Sequence, residues 1–103
     1  MREIVVAERE VVEGEGVPQW IPVGPSFRAS VLPVRTAEAE KQGSVRVQNA
    51  YSFRCWTAAL RELGLQETHR LVWSGRVWNI REIRWPMGSE QMTDVVAEVG
   101  VTL

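Results

Sequence analysis

Residues 75–85, GRVWNIREIRW, place two tryptophans, three arginines and a glutamate in eleven positions. Side chains alternate across a pleated strand, so Val77, Ile83 and Trp85 point one way and Trp78 and Ile80 the other. Neither face is then uniformly apolar. One extra residue at Arg81 or Glu82, a β-bulge, shifts the phase and brings Trp78, Ile80 and Ile83 together. Upstream, HRLVW (69–73) and the Ser74-Gly75 pair complete a hairpin with a tight turn.

The rest of the chain extends this β pattern in both directions. REIVVAEREVVE (2–13) is β-branched and charged, with Val5, Ala7, Arg9 and Val11 opposing Ile4, Val6, Glu8 and Glu10. GEGVPQW (14–20) supplies turn residues and IPVGP (21–25) an irregular connection. SFRASVLPV (26–34) is a strand with Phe27, Ala29 and Val31 on one face, ended or held at an edge by Pro33. RTAEAEKQG (35–43) changes period and predicts a short helix capped by Thr36 and stopped by Gly43. SVRVQNAYSFRCW (44–56) predicts a long strand with Tyr51, Phe53 and Cys55 opposing Ser52, Arg54 and Trp56. TAALRELG (57–64) predicts a helix with Thr57 as cap and Gly64 as stop. PMGSEQ (86–91) is a second loop. MTDVVAEVGVTL (92–103) alternates, with Val95, Ala97, Val99, Val101 and Leu103 on one side. Five or six strands with short loops and one or two short helices indicate a mainly β, small antiparallel barrel or sandwich forming one domain over residues 1–103.

Composition narrows the function. Hydrophobic residues at 45% and charged residues at 24% are ordinary for a globular chain and argue against disorder. Net charge is −1, so the total predicts neither a nucleic-acid nor a membrane partner. Of 12 basic residues only Lys41 is lysine, and there are five tryptophans. Arginine and tryptophan are the residue types most enriched where protein surfaces meet. The single cysteine, Cys55, excludes an intramolecular disulfide. No run approaches ~18 apolar residues, and MREIVVAERE is unlike a signal peptide, so a soluble protein made in a cytoplasm is expected.

Chemistry is hard to assemble from these residues. A hydrolase would have to use His69 and Asp94, the only histidine and aspartate, and no serine lies in a nucleophile elbow. One cysteine and one histidine lack metal-ligand spacing. The GEG at 14–16 has no following helix and reads as a turn, not a nucleotide loop. Cys55 is expected to be a buried thiol, although neighbouring Arg54 could activate it. No catalytic group, metal or cofactor is expected. Single-stranded nucleic-acid binding on an OB-like barrel is the alternative, because residues 46–84 carry a local excess of four positive charges among tryptophans. The first fifteen residues are net −3. Opposite charges on two parts of one small domain suit head-to-tail self-association better.

The order of pieces resembles the head-tail joining proteins of long-tailed bacteriophages, also called head-closure or stopper proteins. The resemblance rests on the opening strand, GEGVPQW, FRASVLPV, the acidic TAEAEKQG, NAYSFRCW and above all the hairpin HRLVWSGRVWNIREI. TAALRELGLQE is more helical than the family's loop. The resemblance implies a structural virion protein, without enzymatic activity, assembled as a ring of six or twelve copies at the head-tail interface. A gene transfer agent would use the same part. Expected partners are the portal-adaptor complex on the head side, a tail terminator or tail tube on the other, and double-stranded DNA passing through the channel without sequence-specific contact. The family counterpart of residues 36–44 faces that channel, which assigns Thr36, Glu38, Glu40, Lys41, Gln42 and Ser44 to it. Trp73, Arg76, Arg81, Arg84 and Trp85 are the expected subunit or partner interface, and Trp78 is expected in the barrel.

Overall fold

A computed structural model describes residues 1–34, 50–88 and 90–99. Within them the chain runs through β1 (Glu3–Val11), β2 (Gln19–Pro22), β3 (Phe27–Pro33), β4 (Ala50–Trp56), α1 (Thr57–Leu63), β5 (Arg70–Trp73), β6 (Arg76–Arg84) and β7 (Met92–Val99). Each pairing between neighbouring strands is antiparallel, in the order β1-β3-β4-β7-β6-β5, and β5 returns to pair with β1. Among the described residues the result is a closed six-stranded antiparallel barrel with one short helix. Closure removes the open edges that a flat sheet of these strands would expose.

The decisive hairpin forms as its residues dictate. Ser74 and Gly75 both take positive φ, 54° and 72°, the pair of left-handed residues that a two-residue turn between twisted strands requires. In β6, Ile80 lies opposite Ala97 and Glu82 opposite Val96, which leaves Arg81 as the extra residue of a bulge. Trp78 and Ile80 are consequently buried and Ile83 packs against the same core.

Alternation fills the barrel from every wall. Val5, Ala7, Phe27, Ala29, Phe53, Cys55, Leu71, Val95 and Ala97 are buried within it. Tyr51, Phe53, Trp73 and Trp78 form an aromatic cluster in the lumen, with centroids 5.2–6.3 Å apart, edge-to-face except for the tilted Trp73–Trp78 pair. The Trp78 Nε1–H donates to the Trp73 carbonyl at 3.0 Å, so the ring's polar atom is satisfied on burial. Helix α1 adds Leu60 and, just beyond its end, Leu65 to the core. Its chain turns away at Gly64, which takes the left-handed conformation (φ 68°) and donates to the Arg61 carbonyl. Gly24, in the loop before β3, lies against Leu63, where a Cβ would collide with the leucine side chain.

Two expectations need correcting. Residues 19–22 form a strand instead of an irregular connection, because β1 continues past its last β3 partner, Val5, and offers a free edge over Glu8–Val11. Three steps along β1, from Glu8 to Val5, are matched by five along its partner, from Pro22 to Phe27, and Val23–Ser26 absorb the difference. Thr57 does not cap α1. The N-cap is Trp56, without a side-chain hydrogen bond, and the Thr57 hydroxyl instead meets the Thr93 hydroxyl at 2.7 Å in the core. The predicted strand 44–56 is present over its described part, Ala50–Trp56. The expected helix at 35–43, residues 44–49, and Val101 and Leu103 lie outside the described residues.

Candidate interaction surface

The outer wall formed by β4, β7 and β6 answers the question raised by the arginines between apolar groups. Arg54 on β4 donates to both carboxylate oxygens of Asp94 on β7, at 3.0 and 3.3 Å. Arg81, swung out by its bulge, reaches Glu98 at 3.4 Å, and Arg84 reaches Glu82 at 2.9 Å. Val96, between these pairs on the outward side of β7, is buried despite facing out. Arg81 and Arg84 are thus exposed yet internally paired. Such pairs contribute little to stability, and they leave a wall of alternating charge instead of a single basic face.

Large apolar side chains are exposed at several places, Ile4, Val12, Val17 and Leu32 among them, and the exposed tryptophans gather at one rim. Strands β4 and β6 both run antiparallel to β7 between them, so their C-terminal ends meet at the same end of the barrel. Trp56 ends β4 and is 49% exposed, Trp85 follows β6 and is 39% exposed, and Met87 in the next loop is 92% exposed. The Arg61 guanidinium of α1 lies 5.6 Å from the Trp85 ring centroid, a cation–π contact that holds both side chains at the surface. Beside them a shallow groove of about 420 Å³ is lined by Trp56, Thr57, Ala58, Arg61, Gly88, Glu90 and Gln91. The Thr57 N–H donates to the Gln91 carbonyl at 2.7 Å, tying the helix start to the loop that forms the groove's other side.

Of the expected interface residues, Trp85 belongs to this rim. Arg81 and Arg84 lie on the adjoining wall, and Arg76 is exposed beside the hairpin turn. Trp73 has moved inward. Its ring packs on Tyr51, Phe53 and Trp78, and its Nε1–H donates to Glu3 at 2.9 Å. Strand parity explains this, since Trp73 shares the face of Leu71 and that face is the lumen. Trp56, Arg61 and Met87 were not among the expected contacts. The outward parity of Trp56 was visible in the alternation of 50–56, but its proximity to Trp85 requires the β4–β7–β6 pairing. Thr36, Glu38, Glu40, Lys41, Gln42 and Ser44 lie outside the described residues.

Cys55 is buried, its thiol donates to the Phe53 carbonyl at 3.5 Å, and burial, with the Asp94 charge adding to it, pushes its pKa up to about 12. Arg54 does not activate it, because it projects from the opposite face of β4 towards Asp94. His69 accepts the Gln66 N–H at Nδ1, 3.2 Å away, and partial burial and the Arg9 charge hold it below its ordinary value. Asp94 is engaged by Arg54. Among the described residues no three His, Cys, Asp or Glu side chains are grouped to hold a metal ion, and no helix is long and apolar enough to cross a membrane. Neither protein-family models nor curated proteins match the chain.

Proposed function

We propose that this chain is a structural protein of a phage-like head-tail connector, a stopper that closes the DNA-filled head and supports the tail. In this reading it acts by assembly and not by catalysis, as a ring of six or twelve copies seated between a portal-adaptor complex and a tail terminator or tail tube, within the virion. The observation that carries it is the Trp56–Arg61–Trp85–Met87 rim on a barrel whose lumen is filled by its own aromatic side chains. A filled barrel offers surface, not a cavity, and exposed tryptophan beside arginine is the composition of protein contacts. The order of strands and the hairpin that resemble the head-closure family support the same conclusion.

A second reading draws on the same rim. Two exposed tryptophans flanking an arginine could stack the bases of a single strand, as OB-fold barrels do. The OB-fold, however, is a five-stranded, partly open barrel, and this one closes through six strands. One experiment separates the two readings. The purified protein is added to DNA-filled heads that carry portal and adaptor but no stopper, and the vertices are imaged by electron microscopy. Ring density at the vertex with retained DNA is expected. Bare vertices, together with salt-dependent binding to short oligonucleotides, refute the connector reading.

A further inference from the structure

The hairpin formed by β1 and β2 is anchored to β5 by Arg70, whose guanidinium lies 4.3 Å from the Trp20 ring centroid and bonds Glu8, and its outer end projects beyond the barrel. Its outer rungs, Glu10 with Trp20 and Val11 with Gln19, lie beyond the last β5 partner of β1, which is Arg70 opposite Glu8. Its tip is internally held, with Gly14 at positive φ (59°) and the Gly16 N–H donating to the Glu13 carbonyl at 2.9 Å. A preformed tip loses less entropy on docking than a loose loop. Its chemistry is distinctive. Residues 10–19 contain three glutamates and no cation, and Val12 and Val17 are 54% and 82% exposed. Water solvates the glutamates of this tip, whereas the exposed valines gain by being covered.

Its complement lies on the far wall. In the order β1-β3-β4-β7-β6-β5, β7 is diametrically opposite β1, and Trp56 and Trp85 stand at the ends of the two strands flanking β7. All of these strand ends, and the hairpin, lie at the same end of the barrel. Arg61 takes part in none of the ion pairs among the described residues and is held over Trp85. One molecule therefore carries an acidic, valine-tipped projection on one side and an arginine-bearing aromatic patch on the other, at the same end of the barrel. The two cannot meet within one chain. Unlike patches on opposite sides generate heterologous contacts, which close into a ring where the rotation between copies closes and otherwise extend as a filament.

We propose that the β1–β2 hairpin of one copy docks through Val12, Glu13, Glu15 and Val17 onto the Trp56, Arg61, Trp85 and Met87 rim of the next copy. Valines cover the indoles and Met87, and the glutamates meet the Arg61 guanidinium. Glu90 also borders the groove and opposes the incoming glutamates, so Glu90→Gln strengthens the contact. This contact deepens the ring-forming reading above and supplies its subunit interface.

Disulfide trapping tests it. Cys55 is buried and does not compete, so Val17→Cys and Met87→Cys proteins are mixed at high concentration and oxidised with diamide. Chance encounter gives the mixed dimer about twice the yield of each self-pair, and the proposed contact gives at least about ten times, since ~1.4 kcal/mol of preference is tenfold. A chain carrying both cysteines forms a ladder of higher oligomers. Glu13→Arg with Glu15→Arg returns the yield to chance, and adding Arg61→Glu restores it. A chance mixture of dimers, or no restoration by Arg61→Glu, overturns the proposal. If chance mixtures come from a protein that still forms rings on portal-adaptor heads, only this contact falls. Specific trapping by a protein that leaves those heads bare keeps the contact and refutes the connector reading.

Discussion

Replacing Trp78 by alanine is the most direct test of how the barrel is held together. Trp78 is 3% exposed and its ring meets those of Tyr51, Phe53 and Trp73. Burying an indole removes about 200 Å² of surface from water, which at ~25 cal/mol per Å² is about 5 kcal/mol as an upper bound. Truncation also leaves the Trp73 carbonyl without the Nε1–H it accepts at 3.0 Å. Partial collapse of the lumen offsets some of this, so the expected loss is about 4 kcal/mol, within the usual range for buried aromatic truncations. For a domain of this size that corresponds to a Tm lower by about 20 °C. Trp85→Ala removes an already half-wet ring and one cation–π contact, and should cost about 1 kcal/mol. Urea unfolding followed by far-UV circular dichroism reads both without relying on tryptophan fluorescence. Losses that agree within about 1 kcal/mol would refute the division between lumen and rim.

Other consequences are equally measurable. Thr57→Val strands the Thr93 hydroxyl in the core and should cost about 1–3 kcal/mol, whereas Thr57→Val with Thr93→Val should cost less than the sum of the two single changes in a double-mutant cycle. Cys55 should resist Ellman's reagent at pH 8 in the native state and react fully in denaturant. Its pKa rises from the ordinary 9.0 to about 12 on folding, so the stability from keeping the thiol neutral is whole below pH 9 and is lost as pH climbs towards 12. Cys55→Ala should flatten the alkaline end of the stability curve, and an unchanged slope there would count against the burial argument. At the hairpin, Ser74→Asn should stabilise by a few tenths of a kcal/mol because asparagine tolerates the left-handed region, and Gly75→Val should destabilise by about 1–2 kcal/mol. Thermal melts that fail to separate these two variants would remove the turn argument.

The features readable from the sequence alone are those whose cause is local. Left-handed φ at Ser74-Gly75 and Gly64, the alternation that buries Val5, Phe27, Phe53 and Val95, and the bulge that reconciles Trp78, Ile80 and Ile83 all follow from short-range sterics and the two-residue period of a strand. Together they were enough for a small antiparallel barrel. What the tertiary structure alone decided depends on closure. Trp73 and Trp85 look alike in the chain, yet β5 pairing with both β1 and β6 turns Trp73 into the lumen, while Trp85, past the last rung of β6, stays at the rim. The β2 strand exists only because β1 outruns its β3 partners, and Thr57 serves Thr93 instead of its own helix because β7 lies beside it. The Trp56–Arg61–Trp85 grouping joins the adjoining β4 and α1 to the end of β6, which is distant in sequence. Its members become neighbours only when pairing of β4 and β6 to β7 sets the register, and no local pattern encodes a register between distant strands.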